Sequence, residues 1–478
     1  MFLKRFLSHA TERPALRDTD GRWLSYGELR RRGERVAAGL HSQGIKAGDT
    51  VAIHLENGMD LVDAHLGCMA LGAVRLPLNA HYREAELAPI VTDAAPALVY
   101  TASPERFPGL RCGTVHSEAS VPPPTLWPAN ELTALLYTSG TTGRPKGVPQ
   151  TFSMWESNLD ALAAVWELSD ADCVWLALPL FHTHGLVIGL HGTLLRGSRA
   201  ILAERFEPTV PDADVTHLYG VPTWYRRWLP IMQANPTPFN ALRLMVSGSD
   251  GLDSATSDAV YAATGHRILE RYGMTETVMI CSNPGSGERR AGTVGQPLPG
   301  VEVRIVEGDI QVRGPSVFSG YRGAASGQGF TEDGWFQTGD SGIWEPAGSS
   351  HTATPDRPPY LKIIGRTKEL IIVGGVNVSP AEVESIYVDI PGIREVGVCG
   401  IPEPDLGEVV GLAVATDGDV TEAAVRAAIV ERGCLLSGLK RPRHVIFVAS
   451  LPRNALGKLQ RAALRPLFTP SHSLETPS

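Results

Sequence analysis

Alternating helix and strand signals over roughly the first 300 residues constrain the fold of this chain more than any other feature. Residues 25–28 have the Ser and Glu spacing of a capping box, which opens an amphipathic segment that stops at Gly44. Short apolar runs typical of strands follow at 50–55, 74–78 and 97–100, separated by helical segments. Strands that alternate with helices predict an α/β protein whose parallel sheet is covered on both faces.

The pattern changes after this region, where polar and apolar residues alternate at the period of a strand. Residues 301–306 and 310–313 flank a Gly-containing turn, which predicts an antiparallel hairpin. Residues 345–359 are rich in Pro, Ser and Thr and have the composition of an exposed loop. A second compact unit follows, with a predicted helix at 380–387 and a strand near 396–400. The chain is therefore expected to have at least two domains.

Size and charge exclude several classes of protein. A chain of 478 residues that is 43% hydrophobic can build two or three globular domains. The net charge of −8 and the lack of any Lys/Arg block argue against a nucleic-acid-binding face. The sequence shows no signal peptide and no apolar run of membrane-span length, and its six cysteines lack CxxC spacing. We expect a cytoplasmic protein with free thiols and with no membrane or nucleic-acid partner.

The stretch TSGTTGRPKG at residues 138–147 follows the apolar run 134–137 and predicts a phosphate-binding loop. Its glycines let backbone N–H groups point at an anion, its hydroxyls add donors, and Lys146 supplies a positive charge. The loop is not a Walker A motif, because Pro145 precedes the lysine and Gly147 follows it. A flexible Ser/Thr/Gly linker is the alternative interpretation.

Further clusters with nucleotide-binding chemistry lie far apart in the sequence. Tyr272 and Glu276 follow an apolar pair, where a ring can stack on a base and a carboxylate can hold a cation that bridges phosphates. Asp340 follows a predicted turn and suits ribose hydroxyls, Arg366 is a forked cation, and Lys458 lies on a Gly-terminated turn. Each cluster alone is more simply explained by a surface acid, a helix cap or a solvated lysine. Their joint occurrence in this order points to a nucleotide enzyme.

With these motifs the chain resembles the adenylate-forming (ANL) superfamily of acyl-CoA synthetases, nonribosomal-peptide adenylation domains and beetle luciferases. The resemblance extends from about residue 6 to residue 467. Within the superfamily the chain is most similar to malonyl-CoA synthetases, and this closer likeness is carried by residues 179–186, 219–223, 269–277 and 290–300.

The resemblance implies an ATP-dependent acid–thiol ligase with two half-reactions. A carboxylate attacks the α-phosphate of ATP to give an acyl-AMP and pyrophosphate, and the thiol of CoA then displaces AMP to form a thioester. Two anions must meet in the first step, so cations and preorganised donors have to neutralise the developing charge. The implied co-substrates are ATP and CoA, with Mg²⁺ on the phosphates.

The resemblance also implies the architecture and a conformational change. A large N-terminal domain of doubly wound sheets with a small β-barrel-like subdomain spans residues 1–367, a small mobile α+β domain spans 368–467, and 468–478 form a disordered tail. The small domain turns about a hinge at Lys368 between the half-reactions. The turn removes Lys458 from the phosphates and brings the CoA-binding pair Gly374 and Gly375 toward the pantetheine tunnel.

By the same resemblance, catalysis depends on Lys458 at the α-phosphate, on Glu276 and on His182, which gates the passage from nucleotide to thiol. Glu276 and Thr138 are the implied Mg²⁺ ligands. The implied ATP- and AMP-binding residues are Thr138, Ser139, Gly140, Thr141, Thr142, Gly143, Lys146, Ser247, Gly248, Ser249, Tyr272, Gly273, Met274, Thr275, Asp340 and Arg366.

The identity of the acid depends on Arg271, directly before the Tyr272 motif. An arginine at the mouth of the acyl pocket can pair bidentately with a second carboxylate, whereas a fatty acyl pocket would leave it unpaired. The predicted substrate is malonate or methylmalonate, with His184 as a second contact. The alternative is that Arg271 pairs with Glu270 or another acid as a structural tether. Apolar residues at 280–281, where malonate-specific relatives have a more polar pair, leave the acid open.

Three other functions remain open at this point. The thiol acceptor could be a free-standing carrier protein instead of CoA. The acyl-AMP could be oxidised as in luciferases, although the polar pocket signals disfavour a large aromatic substrate. A non-catalytic nucleotide-binding protein is the third, and the joint presence of Lys458, Glu276 and Asp340 argues against it.

Overall fold

A computed structural model of the chain describes residues 2–114, 126–127, 132–138, 145–240, 242–323, 327–346, 359–374, 376–417, 420–453 and 459–468. These residues divide into two compact units. The first comprises the described residues within 1–303, 312–336 and 352–360, and the second those within 304–311, 337–351 and 361–478. The predicted domain limits, 1–367 and 368–467, stay predictions.

The helices, numbered in chain order, are α1 Phe2–Ser8, α2 Tyr26–Ser42, α3 Met59–Leu71, α4 Glu84–Ala94, α5 Phe152–Trp166, α6 Gly192–Arg196, α7 Pro222–Ala234, α8 Thr237–Asn240, α9 Ser254–Thr264, α10 Pro380–Tyr387, α11 Glu422–Gly433 and α12 Arg461–Leu464. A π-helix spans His184–His191. Within the described residues, every helix is too short or too polar to cross a lipid bilayer.

The strands are β1 Pro14–Arg17, β2 Trp23–Ser25, β3 Thr50–His54, β4 Val74–Pro77, β5 Leu98–Thr101, β6 Cys112–Gly113, β7 Leu132–Thr138, β8 Lys146–Thr151, β9 Cys173–Leu176, β10 Arg199–Leu202, β11 His217–Gly220, β12 Leu244–Ser247, β13 Leu269–Met274, β14 Val278–Ser282, β15 Gln296–Pro297, β16 Glu302–Val306, β17 Asp309–Arg313, β18 Phe336–Glu345, β19 Tyr360–Arg366, β20 Ile371–Val373, β21 Val376–Val378, β22 Ile393–Glu403, β23 Gly407–Thr416 and β24 His444–Phe447.

Two sheets form the framework of the first unit. The larger has the strand order β15-β14-β13-β12-β11-β9-β10-β1-β2 and is parallel from β13 to β1, with antiparallel strands at both edges. The smaller has the order β6-β5-β3-β4-β7-β8 and is parallel except at the β7–β8 edge. The α/β class predicted from helix–strand alternation is confirmed.

The second unit has its own core. Strands β21-β20-β23-β22, with β24 on β23, form a sheet. Its apolar residues, Leu412 among them, pack with Val383 and Tyr387 of α10 and with Ile429 of α11.

Strands β16-β17-β18-β19 form a separate four-stranded sheet, in which β16 and β17 are neighbours. The predicted hairpin is thereby confirmed. Its turn residues Glu307 and Gly308 have the positive φ values, 52° and 89°, that a tight two-residue turn requires.

Local sequence signals predict several helix ends correctly. Ser25 caps α2 and Glu28 completes the capping box. Helix α10 spans the predicted residues, with Ser379 as its cap and Pro380 in its first turn. All six cysteines are free, as expected.

One predicted turn lies within a strand instead. The sequence predicts a turn before Asp340, yet this residue lies inside β18, where Gly339 takes a φ of 71°. Tyr272 lies in β13, which continues to Met274 and pairs antiparallel with β14. Most of the predicted loop 345–359 and of the predicted tail 468–478 lies outside the described residues.

Candidate active site

The two ends of the predicted phosphate loop are strand residues paired across one hairpin. Strands β7 and β8 are antiparallel, and Thr138 lies opposite Lys146 in their register. This pairing brings the ends of the loop together at the edge of the smaller sheet. The predicted residues Ser139, Gly140, Thr141, Thr142 and Gly143 lie outside the described residues.

Lys146, Glu276, Tyr321 and Gln328, which we name the Lys146 cluster, are connected by side-chain contacts in the first unit. The ammonium of Lys146 donates to the side-chain oxygen of Gln328 at 3.1 Å and lies 4.7 Å from the centroid of the Tyr321 ring. The Tyr321 hydroxyl donates to the buried carboxylate of Glu276 at 2.8 Å. The structure thus connects the lysine of the phosphate loop with the predicted metal ligand.

Sequence reasoning missed Tyr321 and Gln328. Lys146 and Gln328 are 182 positions apart, and neither Tyr321 nor Gln328 belongs to a motif with recognisable spacing. A Gly–Tyr pair at 320–321 is the one local signal, and it does not indicate a partner.

Glu276 fits the requirements of a Mg²⁺ ligand on a nucleotide. Mg²⁺ in such sites is usually held by one or two carboxylates together with phosphate oxygens and water. Among the described residues, no group of three or more His, Cys, Asp or Glu side chains could hold a metal by itself. A single buried carboxylate beside the phosphate loop matches a cation that the nucleotide helps to bind. The participation of Thr138 stays a prediction.

Seven of the predicted ATP- and AMP-binding residues lie at the carboxyl ends of β12 and β13. These neighbouring strands are parallel, with Ser247 opposite Glu270. Gly273 lies in β13 where the register with β14 shifts, and a Cβ atom there would come within 1.9 Å of the Val278 carbonyl oxygen, so this position requires a glycine. The residues placed at this edge are Ser247, Gly248, Ser249, Tyr272, Gly273, Met274 and Thr275.

Arg271 is buried without a hydrogen-bonding partner for two of its nitrogens among the described residues. The residue is only 5% exposed, and its Nε and Nη2 atoms make no hydrogen bond to the described residues. The guanidinium lies across Gly248, where a Cβ atom would be 2.2 Å from the arginine Cζ. Among the described residues no ion pair joins Arg271 to Glu270, whose carboxylate accepts from the Gly292 N–H at 2.9 Å. Burial lowers the pKa of Arg271 from its usual range.

His182 and His184 lie beside Arg271 and complete what we name the Arg271 cluster. The π-helix His184–His191 begins at the second histidine, whose ring stacks on Tyr219 at 6.1 Å and has neither ring nitrogen bonded within the described part of the chain. The His184 N–H donates to Nδ1 of His182 at 3.4 Å. Burial, and then the charge of Arg271, lowers the pKa of His182 to about 4 and that of His184 well below its usual value. Both rings are therefore neutral at pH 7.

The second unit holds the predicted ribose-binding pair. Asp340 on β18 forms a 2.9 Å ion pair with Arg366 at the end of β19, and Arg366 also donates to the Thr338 carbonyl at 3.3 Å. Gly374 is held by a hydrogen bond from its N–H to the Leu406 carbonyl. The backbone of Lys368 lies in a short 3₁₀ turn, Thr367–Glu369. Lys458 and Gly375 lie outside the described residues.

Comparison with known proteins agrees with this arrangement of motifs. The profile of the AMP-binding enzyme family matches residues 3–322, and that of the AMP-binding enzyme C-terminal domain matches residues 382–458. A malonate–CoA ligase of Arabidopsis thaliana is 31% identical, over 96% of this chain and 86% of the relative. A feruloyl-CoA synthase of Amycolatopsis sp is also 31% identical, over 94% of each chain.

The fold matches that of a solved relative over almost its whole length. The ATP-bound crystal structure of MatB from Rhodopseudomonas palustris has a TM-score of 0.87 to this chain, with 34% identity and 98% of each chain covered. Relatives of similar identity are named for unlike acids, so overall similarity identifies the reaction without the acid. The chain belongs to the AMP-binding enzyme family and is an acyl-CoA ligase of the adenylate-forming superfamily.

Proposed function

We propose that this acyl-CoA ligase activates a small dicarboxylic acid, malonate or methylmalonate, and transfers it to CoA. The observation that carries the proposal is the buried guanidinium of Arg271, two of whose nitrogens have no partner among the described residues. A buried cation without a counter-charge is costly, so the site is best explained by a ligand that brings one. A second carboxylate offers the planar, bidentate geometry that a guanidinium prefers. The similarity to a malonate–CoA ligase supports the same class.

The neutral histidines of the Arg271 cluster favour this class as well. At pH 7 His182 and His184 add no charge, so Arg271 is the source of positive charge in this cluster. One carboxylate of the acid would pair with Arg271 and remain inert, while the other would face the nucleotide and react. His184 would donate or accept one hydrogen bond beside the inert carboxylate, and His182 would lie at the passage to the thiol.

The co-substrates are ATP and CoA, and Mg²⁺ accompanies the nucleotide, where it neutralises phosphate charge and orients the oxygens. Lys146 would bind the departing pyrophosphate together with the phosphate loop, and Glu276 would be a ligand of the Mg²⁺ ion that accompanies the phosphates. Lys458 would approach the α-phosphate during adenylation only. Asp340 and Arg366 would hold the ribose, with Lys368 as the hinge and Gly374 and Gly375 on the CoA path.

A panel of acids tests the proposal. Wild-type enzyme and Arg271→Ala are assayed by ATP–pyrophosphate exchange and by CoA thioester formation with malonate, methylmalonate, acetate, propionate and ferulate. Removing one partner of a buried charge pair costs about 2–5 kcal/mol, so kcat/KM for malonate should fall by about 30-fold to several thousand-fold. Activity with propionate should change little.

Arg267→Ala is the matched control, because this arginine is near in sequence but pairs with the exposed Asp258. An exposed pair contributes at most about 1 kcal/mol, so this variant should behave as wild type. Unchanged malonate turnover in Arg271→Ala, or a wild-type preference for monocarboxylates, would refute the dicarboxylate assignment and leave the ligase activity intact.

A further inference from the structure

We propose that Tyr321 is a positioning residue that holds the carboxylate of Glu276 and the ammonium of Lys146 apart and in register for the phosphates of ATP. It touches both groups, through a 2.8 Å hydrogen bond from its hydroxyl and through the face of its ring at 4.7 Å. The inference rests on the proposed roles of Lys146 and Glu276, and it is independent of the acid.

The geometry solves a problem of charge. A lysine and a glutamate at the same phosphate site attract each other, and a direct ion pair would occupy the groups that have to bind phosphate and cation. In the described part of the chain Tyr321 contacts Glu276 through its hydroxyl and Lys146 through its ring. A phenol uses its single O–H on the carboxylate and offers its π-face to the ammonium. One neutral side chain thereby fixes both charged groups without neutralising either.

Tyr321 is itself fixed by the backbone on both sides. The N–H of Phe318 donates to the carbonyl of Glu276, and the N–H of Arg322 donates to the carbonyl of Gly147, each at 2.8 Å. The buried ring of Phe318 packs edge-on against Tyr321 at 4.8 Å. The residues around Tyr321 therefore form hydrogen bonds both to Glu276 and to Gly147, the residue after Lys146. These bonds give the site the support that precise positioning requires.

The role is tested by nucleotide binding, without turnover. Calorimetry measures the affinity of Tyr321→Phe and Tyr321→Leu for the Mg²⁺ complex of the β,γ-methylene analogue of ATP and for AMP. The Phe variant loses the hydrogen bond to a charged group, so its Kd for the triphosphate analogue should rise about tenfold. The Leu variant also loses the aromatic face and should weaken binding about 30-fold or more. AMP lacks the outer phosphates, so its Kd should change by less than about twofold.

Kinetics of the two half-reactions separate positioning from general damage. Both variants should slow ATP–pyrophosphate exchange and should retain thioester formation from supplied acyl-AMP. Tyr360→Phe is the matched control, because Tyr360 also donates a hydrogen bond, to the Glu288 carbonyl, and lies 4.4 Å from the guanidinium of Arg290, in contacts that involve neither Lys146 nor Glu276. This control should bind the analogue as wild type does.

Several results would overturn the inference. If Tyr321→Phe keeps the wild-type Kd for the analogue within about twofold, or weakens AMP equally, Tyr321 does not position the outer-phosphate site. Lys146→Ala and Glu276→Gln are measured alongside. If neither variant raises the Kd for the analogue, the proposed roles of Lys146 and Glu276 are wrong, and so is that of Tyr321. Formation of malonyl-CoA by the wild-type enzyme would still support the proposed substrate.

Discussion

The Lys146 cluster and the Arg271 cluster lie in the same unit and differ in how far their charged side chains are paired within the protein. In the first, Lys146 and Glu276 are each engaged by neighbouring side chains, Gln328 and Tyr321 among them. In the second, the guanidinium of Arg271 is buried, and two of its nitrogens donate no hydrogen bond to the described residues. The protein has assembled one site from its own contacts and has left the other incomplete.

The difference fits what each site is proposed to recognise. Every acid is activated with the same triphosphate, so a phosphate site can be preorganised by fixed side-chain contacts. An acid is selected more sharply when the wrong ligand leaves a buried charge unpaired. A monocarboxylate would leave the guanidinium unpaired, whereas the second carboxylate of a dicarboxylate would pair with it and add binding free energy. Under the proposed assignment, incomplete pairing at Arg271 is a device for specificity, and it should cost stability.

Stability measurements test this contrast between the two clusters most directly. Arg271→Met removes an unpaired buried charge and should raise the free energy of unfolding of the ligand-free enzyme by about 1–4 kcal/mol. Tyr321→Phe leaves the buried Glu276 carboxylate with one donor fewer and should lower it by about 1–3 kcal/mol. Thermal and urea unfolding at pH 7 measure both variants against wild type.

Arg267 again provides the reference, since Arg267→Met should stay within about 0.5 kcal/mol of wild type. Two changes of the same sign would contradict the contrast between the clusters. A destabilised Arg271→Met would mean that the guanidinium is satisfied in the free enzyme, and the assignment of a second carboxylate would lose its main support.

His184 of the Arg271 cluster should contribute to the acid sensitivity of the protein, alongside other buried histidines such as His65 and His191, whose pKa values burial also lowers. The unfolded chain protonates histidine at a pKa of about 6.5, whereas burial keeps His184 neutral to a much lower pH because its pKa is lowered. The unfolded state therefore binds more protons than the native state once the pH falls toward the unfolded pKa of about 6.5, and stability is lost as the pH falls from about 7 toward 5. His184→Gln should remove up to about 2 kcal/mol of this loss. Urea unfolding at pH 5, 7 and 8 measures the effect.

The pH 8 data are the internal control, because imidazole is then neutral in both states and any difference reflects packing alone. Subtracting that difference isolates the titration of His184. A variant whose stability depends on pH as steeply as wild type would show that this ring already carries a proton in the native state, contrary to the lowered pKa.

Local signals carry much of the fold and part of the site. The capping box at Ser25, the helix that begins at Pro380 and the hairpin turn at Gly308 are predictable because their residues act within a few positions of one another. The phosphate-loop motif is recognisable for the same reason. The turn prediction before Asp340 is wrong because a single glycine with positive φ can lie inside a strand without ending it.

The missed parts of the site depend on contacts between distant segments. Tyr321 and Gln328 reach Lys146 only after the chain has folded, and no spacing rule connects them. The lack of a hydrogen bond from two Arg271 nitrogens to the described residues is likewise not predictable from the sequence, because Glu270 is its neighbour along the chain and only the folded structure shows that this carboxylate accepts from the Gly292 N–H.

The smallest expected effect is also the most selective. The family resemblance assigns Gly248 to ATP and AMP binding, yet a Cβ atom there would lie 2.2 Å from Cζ and 2.4 Å from Nε of Arg271. Gly248→Ala should displace the guanidinium and raise KM for malonate about tenfold, because a misplaced charge loses part of a bidentate pair. KM for ATP should stay within about twofold. Gly251→Ala, with nothing within 4 Å of the added methyl, is the control. If Gly248→Ala raised KM for ATP and left KM for malonate unchanged, Gly248 would belong to the nucleotide site, and it would no longer mark the border between the acyl and nucleotide sites.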